Sequence, residues 1–245
     1  NCALYCGAQI DFVDIDPRTY NISIIELKKK LKWAKVKKKL PKIIIPVHFA
    51  GQPADMKSIF ELSKKYGFKI IEDASHAIGA SYNKFKVGSC KYSDITVFSF
   101  HPVKIITTAE GGMALTKDKA ISNIMRRLSN HGITRDKKLM IKRPKEEIWN
   151  YQQIELGYNF RMNDIQAALG LSQLNRLDKY IKIRHKIANK YNLMFKDLDI
   201  IKPFQSKYCY SSYHLYPIRI SQKKVKNKIF TFALLLMTKD YHNKR

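Results

Sequence analysis

The chain has 245 residues, enough for one large domain or a domain and a half with a sizeable buried core. Its 45% hydrophobic and 11% aromatic content is that of a globular protein, and no apolar run, "FALLLM" near the end included, approaches the roughly 20 residues that cross a bilayer. The net charge of +26 raises nucleic acid or an anionic membrane as partners, yet only 10 of the 46 basic residues are arginine, the fork that reads nucleic acid, so neither partner is expected.

In chain order, the opening "NCALYCGA" shows no signal-peptide pattern, and the expected location is the cytoplasm. "QIDFVDI" (9–15) alternates apolar and polar residues as a half-exposed strand does. Ile24, Leu27, Leu31 and Ala34 fall at helical spacing behind a Ser23/Glu26 capping box, so the lysines of "LKKKLKWAKVKKKLPK" (27–42) coat the solvated faces of a helix. "KIIIPV" (42–47) reads as a buried strand, and "ADMKSIFELSKKYG" (54–67) as a helix opened by Pro53 and closed by Gly67. "FKIIED" (68–73) and "DITVFSF" (94–100) are further strands. "GMALT" (112–116) is a short strand leading into a helix with Ile121, Ile124, Met125 and Leu128 on one face.

The charged stretch 135–155 reads as a long loop, 163–190 as helix in two pieces, and "YHLYPIRI" (213–220) as a late strand opening a smaller domain. Strands alternating with amphipathic helices predict an α/β fold with a mostly parallel sheet sandwiched by helices. The expected division is a large domain at 1–177 and a partial small domain at 178–245. The four cysteines, Cys2, Cys6, Cys90 and Cys209, form no C-x-x-C pair and are expected as reduced thiols, none of them a nucleophile.

In an open α/β sheet, ligands gather at the carboxyl ends of the parallel strands. "VHFAG", "EDASH" and "SFHPVK" stand there, which makes His48, Asp73, Ser75, His76, Ser99, His101 and Lys104 the candidates. A Ser–His–Asp hydrolase lacks the G-x-S-x-G elbow around Ser99, and a metal site would use His48, Asp73 and His76. A Schiff-base lysine fits better, because Val103, Ile105 and Ile106 disfavour the ammonium form of Lys104 and leave an amine able to attack a carbonyl. Asp73 is then the carboxylate a pyridinium nitrogen requires. Spacing alone leaves open a plainer pair, a surface lysine and a helix-capping aspartate.

Five ordered blocks sharpen this: "GAQIDFVDIDPRTYNIS", "PVHFAGQPADM", "IIEDASHAIGA", "FSFHPVKIITTAEGG" and "LGYNFRMNDIQAALGLSQL". With them the chain resembles the DegT/DnrJ/EryC1/StrS family of sugar-nucleotide aminotransferases, a branch of the fold-type I enzymes that use pyridoxal phosphate. The wording of "SHAIGA" and "HPVKIITTAEGG" is most similar to the pseudaminic acid branch. That implies transamination of a UDP-linked 4-keto-6-deoxy-N-acetylhexosamine with glutamate as amino donor. The alternatives are another 4-keto sugar, of the 4-amino-arabinose or perosamine type, or a non-catalytic remnant that dimerises or binds polyanions.

The resemblance implies a role for each residue. Lys104 matches the lysine that anchors the cofactor and then shuttles the proton at the donor α-carbon, and Asp73 the partner of the ring nitrogen. His76 stands where family members carry glutamine or histidine beside the ring oxygen, with a structural histidine as the alternative. Ser99 matches the phosphate donor. Asn159 matches an asparagine that reaches the phosphate in the neighbouring subunit, which implies a homodimer, and Arg161 is left open between dimer contact and phosphate. Gly111 and Gly112 imply a tight turn with close backbone approach. The family pattern also carries residues ahead of Asn1, among them a phosphate-binding helix N-terminus and a stacking aromatic, and it fades after about Lys228. A fragment is therefore expected, ending in a shifted reading frame and lacking much of the small domain.

Overall fold

The computed structural model describes residues 1–141 and 149–220. The middle of the charged 135–155 stretch and everything after Ile220, including the apolar run and the fading family pattern, lie outside the described residues. The elements are α1 (Cys2–Tyr5), α2 (Ile24–Val36), β1 (Ile43–Ile44), α3 (Met56–Tyr66), β2 (Lys69–Asp73), β3 (Ser81–Tyr82), β4 (Phe85–Lys86), β5 (Ile95–Ser99) and β6 (Gly112–Leu115). They continue with α4 (Lys119–Leu128), β7 (Ile133–Thr134), β8 (Gln152–Gln153), α5 (Asp164–Leu174), α6 (Leu177–Met194), β9 (Ile200–Ile201), β10 (Cys209–Tyr210) and β11 (Arg219–Ile220).

The β-branched runs, poor helix formers and good buried strands, build the central sheet in the order β1-β2-β5-β6. β1, β2 and β5 are parallel, so their carboxyl ends share one edge, while β6 runs antiparallel to β5. The reversal has a simple cause. The connection from Phe100 to Gly111 forms no crossover helix and folds back on itself, Phe100 N–H donating to the Gly111 carbonyl at 2.9 Å.

Alternation along each strand separates two faces. Ile44, Ile70, Thr96 and Phe98 are buried on one of them. There Leu27 and Leu31 of α2 pack with Met56, Ile59 and Leu62 of α3 against Ile44 and Ile70. Removing such side chains from water at roughly 25 cal/mol per Å² is what holds these helices down, since the exposed lysine faces of α2 contribute little. The opposite face carries Ile71, Asp73, Ile95, Val97 and Ser99, in register as Ile71↔Ile95 and Asp73↔Val97.

Caps fall where short polar side chains allow. Ser23 accepts from Glu26 N–H ahead of α2, and Asn163 and Gln166 form a complete capping box on α5. α3 is capped by Asp55, two residues after Pro53, whose carboxylate accepts from Ser58 N–H, and it ends on left-handed Gly67 (φ 78°).

The expected strand at 9–15 is reduced to a bridge between Ile15 and Ile22. Asp11 and Asp14 capture the next N–H, and Asp16 takes those of Arg18 and Thr19, which diverts the donors a strand would need. The charged stretch is closed at its base by β7 pairing with β8. In 213–220 only Arg219–Ile220 is strand, paired with β9, while the segment just before it returns to the first half of the chain, β10 pairing with β3. Among the described residues no helix is long and apolar enough to cross a membrane.

Candidate active site

Two of the candidate side chains follow directly from the sheet. Asp73 is the last residue of β2 and Ser99 the last of β5, and alternation sets both on the same face, half-buried. The Asp73 carboxylate accepts the Ser75 hydroxyl at 2.6 Å and the Ser75 N–H at 3.0 Å, both through Oδ1, which leaves Oδ2 for a cationic partner. Ser75 is thus the residue that orients Asp73. Ser99 Oγ accepts from His101 N–H at 3.4 Å.

Lys104 sits half-buried in the loop that joins β5 to β6. The loop base is pinned by Thr108 N–H and the Thr107 hydroxyl, both donating to the Phe100 carbonyl, at 3.0 and 2.8 Å. Gln173 of α5 accepts from Thr107 N–H at 2.9 Å. Of the three apolar neighbours, Ile105 and Ile106 are buried and serve as anchors, whereas Val103 is 66% exposed. The setting of Lys104 is therefore apolar on one side only, and among the described residues it has no salt-bridge partner. Close backbone approach explains the double glycine. A Cβ on Gly112 would meet the Phe98 carbonyl oxygen at 2.8 Å, and one on Gly111 the Thr108 hydroxyl at 2.3 Å.

His76 lies between these charges. Burial lowers its pKa, the Lys104 cation lowers it further, and Asp73 pulls the other way, so the ring is neutral at pH 7 and electrostatically coupled to both. Its Nδ1 accepts from Ala50 N–H at 3.3 Å, which puts the ring proton on Nε2. The ring of His214 approaches it to 4.4 Å between centroids. His214 is 9% exposed, its Nδ1 is buried without a hydrogen-bond partner among the described residues, and burial, then His76, Lys104 and Arg184, push its pKa down to about 4.

His48 departs from the expectation that it joins this face. It is fully buried on the other side of the sheet, Nε2 2.7 Å from Glu72 Oε2, with Nδ1 accepting from Ala54 N–H at 3.1 Å. The bridge pairing of Val47 with Asp73 sets Val47, and not His48, on the Asp73 side. Glu72 also accepts the hydroxyls of Ser93 and Thr96. Burial alone would raise its pKa, but the His48 bond and charge and the two hydroxyls outweigh it and leave the carboxyl below its usual range. A metal site of His48, Asp73 and His76 is thereby separated by the sheet, and no metal-binding group is found among the described residues.

His101 is exposed and turned toward Glu110, 3.8 Å away. Asn159 stands apart from the Asp73 group on an exposed arm, bridged to Asn130 through its backbone and accepting from Arg161 Nε at 2.8 Å. Glu72 and His214 lie outside the residues that the motifs single out. The alternation in "IIED" was a signal for Glu72, since it puts consecutive carboxylates on opposite faces. No local signal pointed to His214, which reaches the site across the whole length between the two halves.

The sequence profile of the DegT/DnrJ/EryC1/StrS aminotransferase family matches residues 1–235, past the point where the motif pattern fades. The UDP-4-amino-4,6-dideoxy-N-acetyl-beta-L-altrosamine transaminase of Campylobacter jejuni is 39% identical over 219 residues, 89% of this chain and 54% of the relative. The GDP-perosamine synthase of Caulobacter vibrioides is 34% identical over 91% of this chain and 55% of its own length. Among solved structures, Helicobacter pylori PseC, an aminotransferase of pseudoaminic acid biosynthesis, superposes with a TM-score of 0.77 at 32% identity over 98% of this chain and 58% of that one. The PLP form of the sugar aminotransferase Spr1654 from Streptococcus pneumoniae gives 0.75 at 29%, over 90% and 57%. The chain spans about half the length of the curated relatives it matches.

The buried imidazoles predict acid sensitivity. A histidine whose folded pKa lies at about 4, against 6.5 ordinarily, stabilises the fold fully above pH 6.5, and that contribution is lost as pH falls toward 4. The unfolding free energy from urea titration is expected to drop across that window by about 1–2 kcal/mol. His214→Phe, which keeps a ring and removes the unpartnered nitrogen, should flatten the drop. An unchanged profile in the variant would show that His214 is not the group titrating.

Proposed function

Because the chain belongs to the DegT/DnrJ/EryC1/StrS aminotransferase family, we propose that the protein transfers an amino group from glutamate to the 4-keto carbon of a UDP-linked 4-keto-6-deoxy-N-acetylhexosamine, with pyridoxal phosphate as cofactor. This is the chemistry of pseudaminic acid biosynthesis. The observation that supports the reading is that Asp73 and Ser99 end neighbouring parallel strands on one face, with His76 close enough to feel the charges of both Asp73 and Lys104. Residues 1–177 are read as part of the cofactor-binding large domain and 178–245 as part of the small one. The four free cysteines fit a reducing compartment, and the cytoplasm is the proposed location.

The donor set fits the cofactor. Lys104 contributes an amine that can hold an aldehyde carbon, and Asp73 has Oδ2 outside its two Ser75 bonds, suited to a protonated ring nitrogen. His76, protonated on Nε2, offers a donor to the ring oxygen. The Ser99 hydroxyl is assigned to the phosphate, and Asn159 to the phosphate bound by a second copy. When bound, pyridoxal phosphate supplies an electron sink for the pair left on the donor carbon. Lys104 Nζ moves the proton at the donor α-carbon, and Asp73 keeps the ring nitrogen protonated, so that the sink stays effective.

A homodimer is part of the same reading. What supports it is a set of exposed apolar side chains on the Asn159 arm and α5. Phe160 is 72% exposed and stacks on Tyr158 at 4.7 Å, while Ile165 and Leu171 are 84% and 62% exposed. Apolar patches of this kind mark interfaces, and a second copy covering it would bring Asn159 to a shared site.

The similarity to a GDP-perosamine synthase favours a second sugar, GDP-linked and 4-keto. Assay of the full chain with glutamate against UDP- and GDP-4-keto-6-deoxy sugars distinguishes them. The expected outcome is a kcat/KM at least about tenfold higher for the UDP-N-acetylhexosamine substrate, and the reverse order would reassign the sugar. Sedimentation equilibrium is expected to give a dimer that Ile165→Glu with Leu171→Glu converts to monomer. A monomeric parent chain would undo the shared-site role of Asn159.

A further inference from the structure

The segment after β10 reaches back over the candidate site as a strap. Ser212 N–H donates to the Gly51 carbonyl at 3.0 Å, Leu215 N–H to the Ala50 carbonyl at 3.2 Å, and the Ser212 hydroxyl to the His76 carbonyl at 2.8 Å. A Cβ on Gly51 would lie 2.4 Å from that hydroxyl and 2.9 Å from the amide nitrogens of Tyr213 and His214, so this glycine is what lets the strap lie flat. From the other side α6 grips the strap. Arg184 Nη1 donates to the carbonyls of Tyr213 and His214 at 3.0 and 3.2 Å, and His185 Nε2 lies 2.7 Å from the Ser211 carbonyl while its ring stacks on Tyr210 at 4.3 Å.

The end product of this clamp is one ring against another. The His214 imidazole stands 4.4 Å from that of His76 at an interplanar angle of 38°. Ala50 N–H holds Nδ1 of His76, and Phe49 flanks the same ring at 6.2 Å. His76 is thus bracketed by the 48–52 turn on one side and the strap on the other.

We propose that His214 is a positioning residue of this site, fixing the ring plane of His76 so that Nδ1 stays on the Ala50 N–H and the proton on Nε2 is presented as a donor. The charges facing the pair are Lys104 and Asp73 beside His76, and Lys104 and Arg184 beside His214. Two cations near His214 oppose its protonation, so the contact is one between neutral rings and survives across the physiological range. The cofactor-affinity part of the test rests on the aminotransferase reading, while the tautomer part does not.

The test is ring nitrogen-15 NMR of the full chain at neutral pH, with His76 assigned through His76→Gln, alongside pyridoxal phosphate binding. The parent chain is expected to show His76 as a single Nε2–H tautomer. His214→Ala should average the two tautomers and weaken pyridoxal phosphate binding about tenfold, the scale of one hydrogen bond. His214→Phe, which retains a ring at the contact, should keep the single tautomer. The proposal is overturned if His214→Ala leaves the His76 tautomer fixed, or if its affinity loss is as large in a His76→Gln background. A parent chain that binds no pyridoxal phosphate would point to the cofactor-binding residues that the family pattern carries ahead of Asn1, and the tautomer result alone would then decide the role of His214.

Discussion

The arrangement depends on a carboxylate that is almost wholly withdrawn from solvent. Glu72 is 5% exposed, and such a charge in a protein interior is tolerated only when its oxygens are matched. Oε2 meets His48, and Oε1 takes the hydroxyls of Ser93 and Thr96. His48 follows β1, Glu72 belongs to β2, and Thr96 to β5, so one side chain ties the three parallel strands together near their carboxyl ends. With a complete set of partners the pair specifies a single register. A slip by one residue would expose the network and bury Asp73 in its place. Breaking one partner would leave the others buried and unmatched, which costs more than the bond itself is worth.

That commitment on one face produces the site on the other. Because Glu72 turns inward, Asp73 must turn outward, and the same alternation delivers Ser99 from β5 to the same surface. Lys104 arrives by different means. It rides a short return loop whose isoleucines are anchored, and the antiparallel β6 closes that loop against Gly112. The last contribution is long-range, since His76 is braced by a strap from residues 211–214 held by Arg184. The candidate site therefore combines two strand ends, one loop and one strap, with Asp73 Oδ2, His76 Nε2 and Lys104 Nζ left outside the hydrogen bonds that hold them.

Most of this was legible in the sequence wherever periodicity and strand ends decide the outcome. The helix at Leu27, Leu31 and Ala34, the strands at 69–73 and 95–99, and the shared face of Asp73 and Ser99 follow from patterns of two and 3.6 residues and from the geometry of parallel strands. Contributions that depend on distant partners were not legible. His48 reads as a site residue until its partner Glu72 is seen behind the sheet. The 9–15 segment reads as a strand until its aspartates are seen capturing the backbone. His214 has no local mark at all, because its meaning comes from a ring far away in the chain.

The central claim concerns Lys104, one of 36 lysines, so chemical selectivity is a stringent test. The full chain is incubated with pyridoxal phosphate, reduced with borohydride, digested and mapped by mass spectrometry. The label is predicted on the peptide carrying Lys104 and absent from the Lys104→Ala chain. Label on another lysine, or spread over the lysine-rich α2 with Lys104 unmodified, would contradict the account.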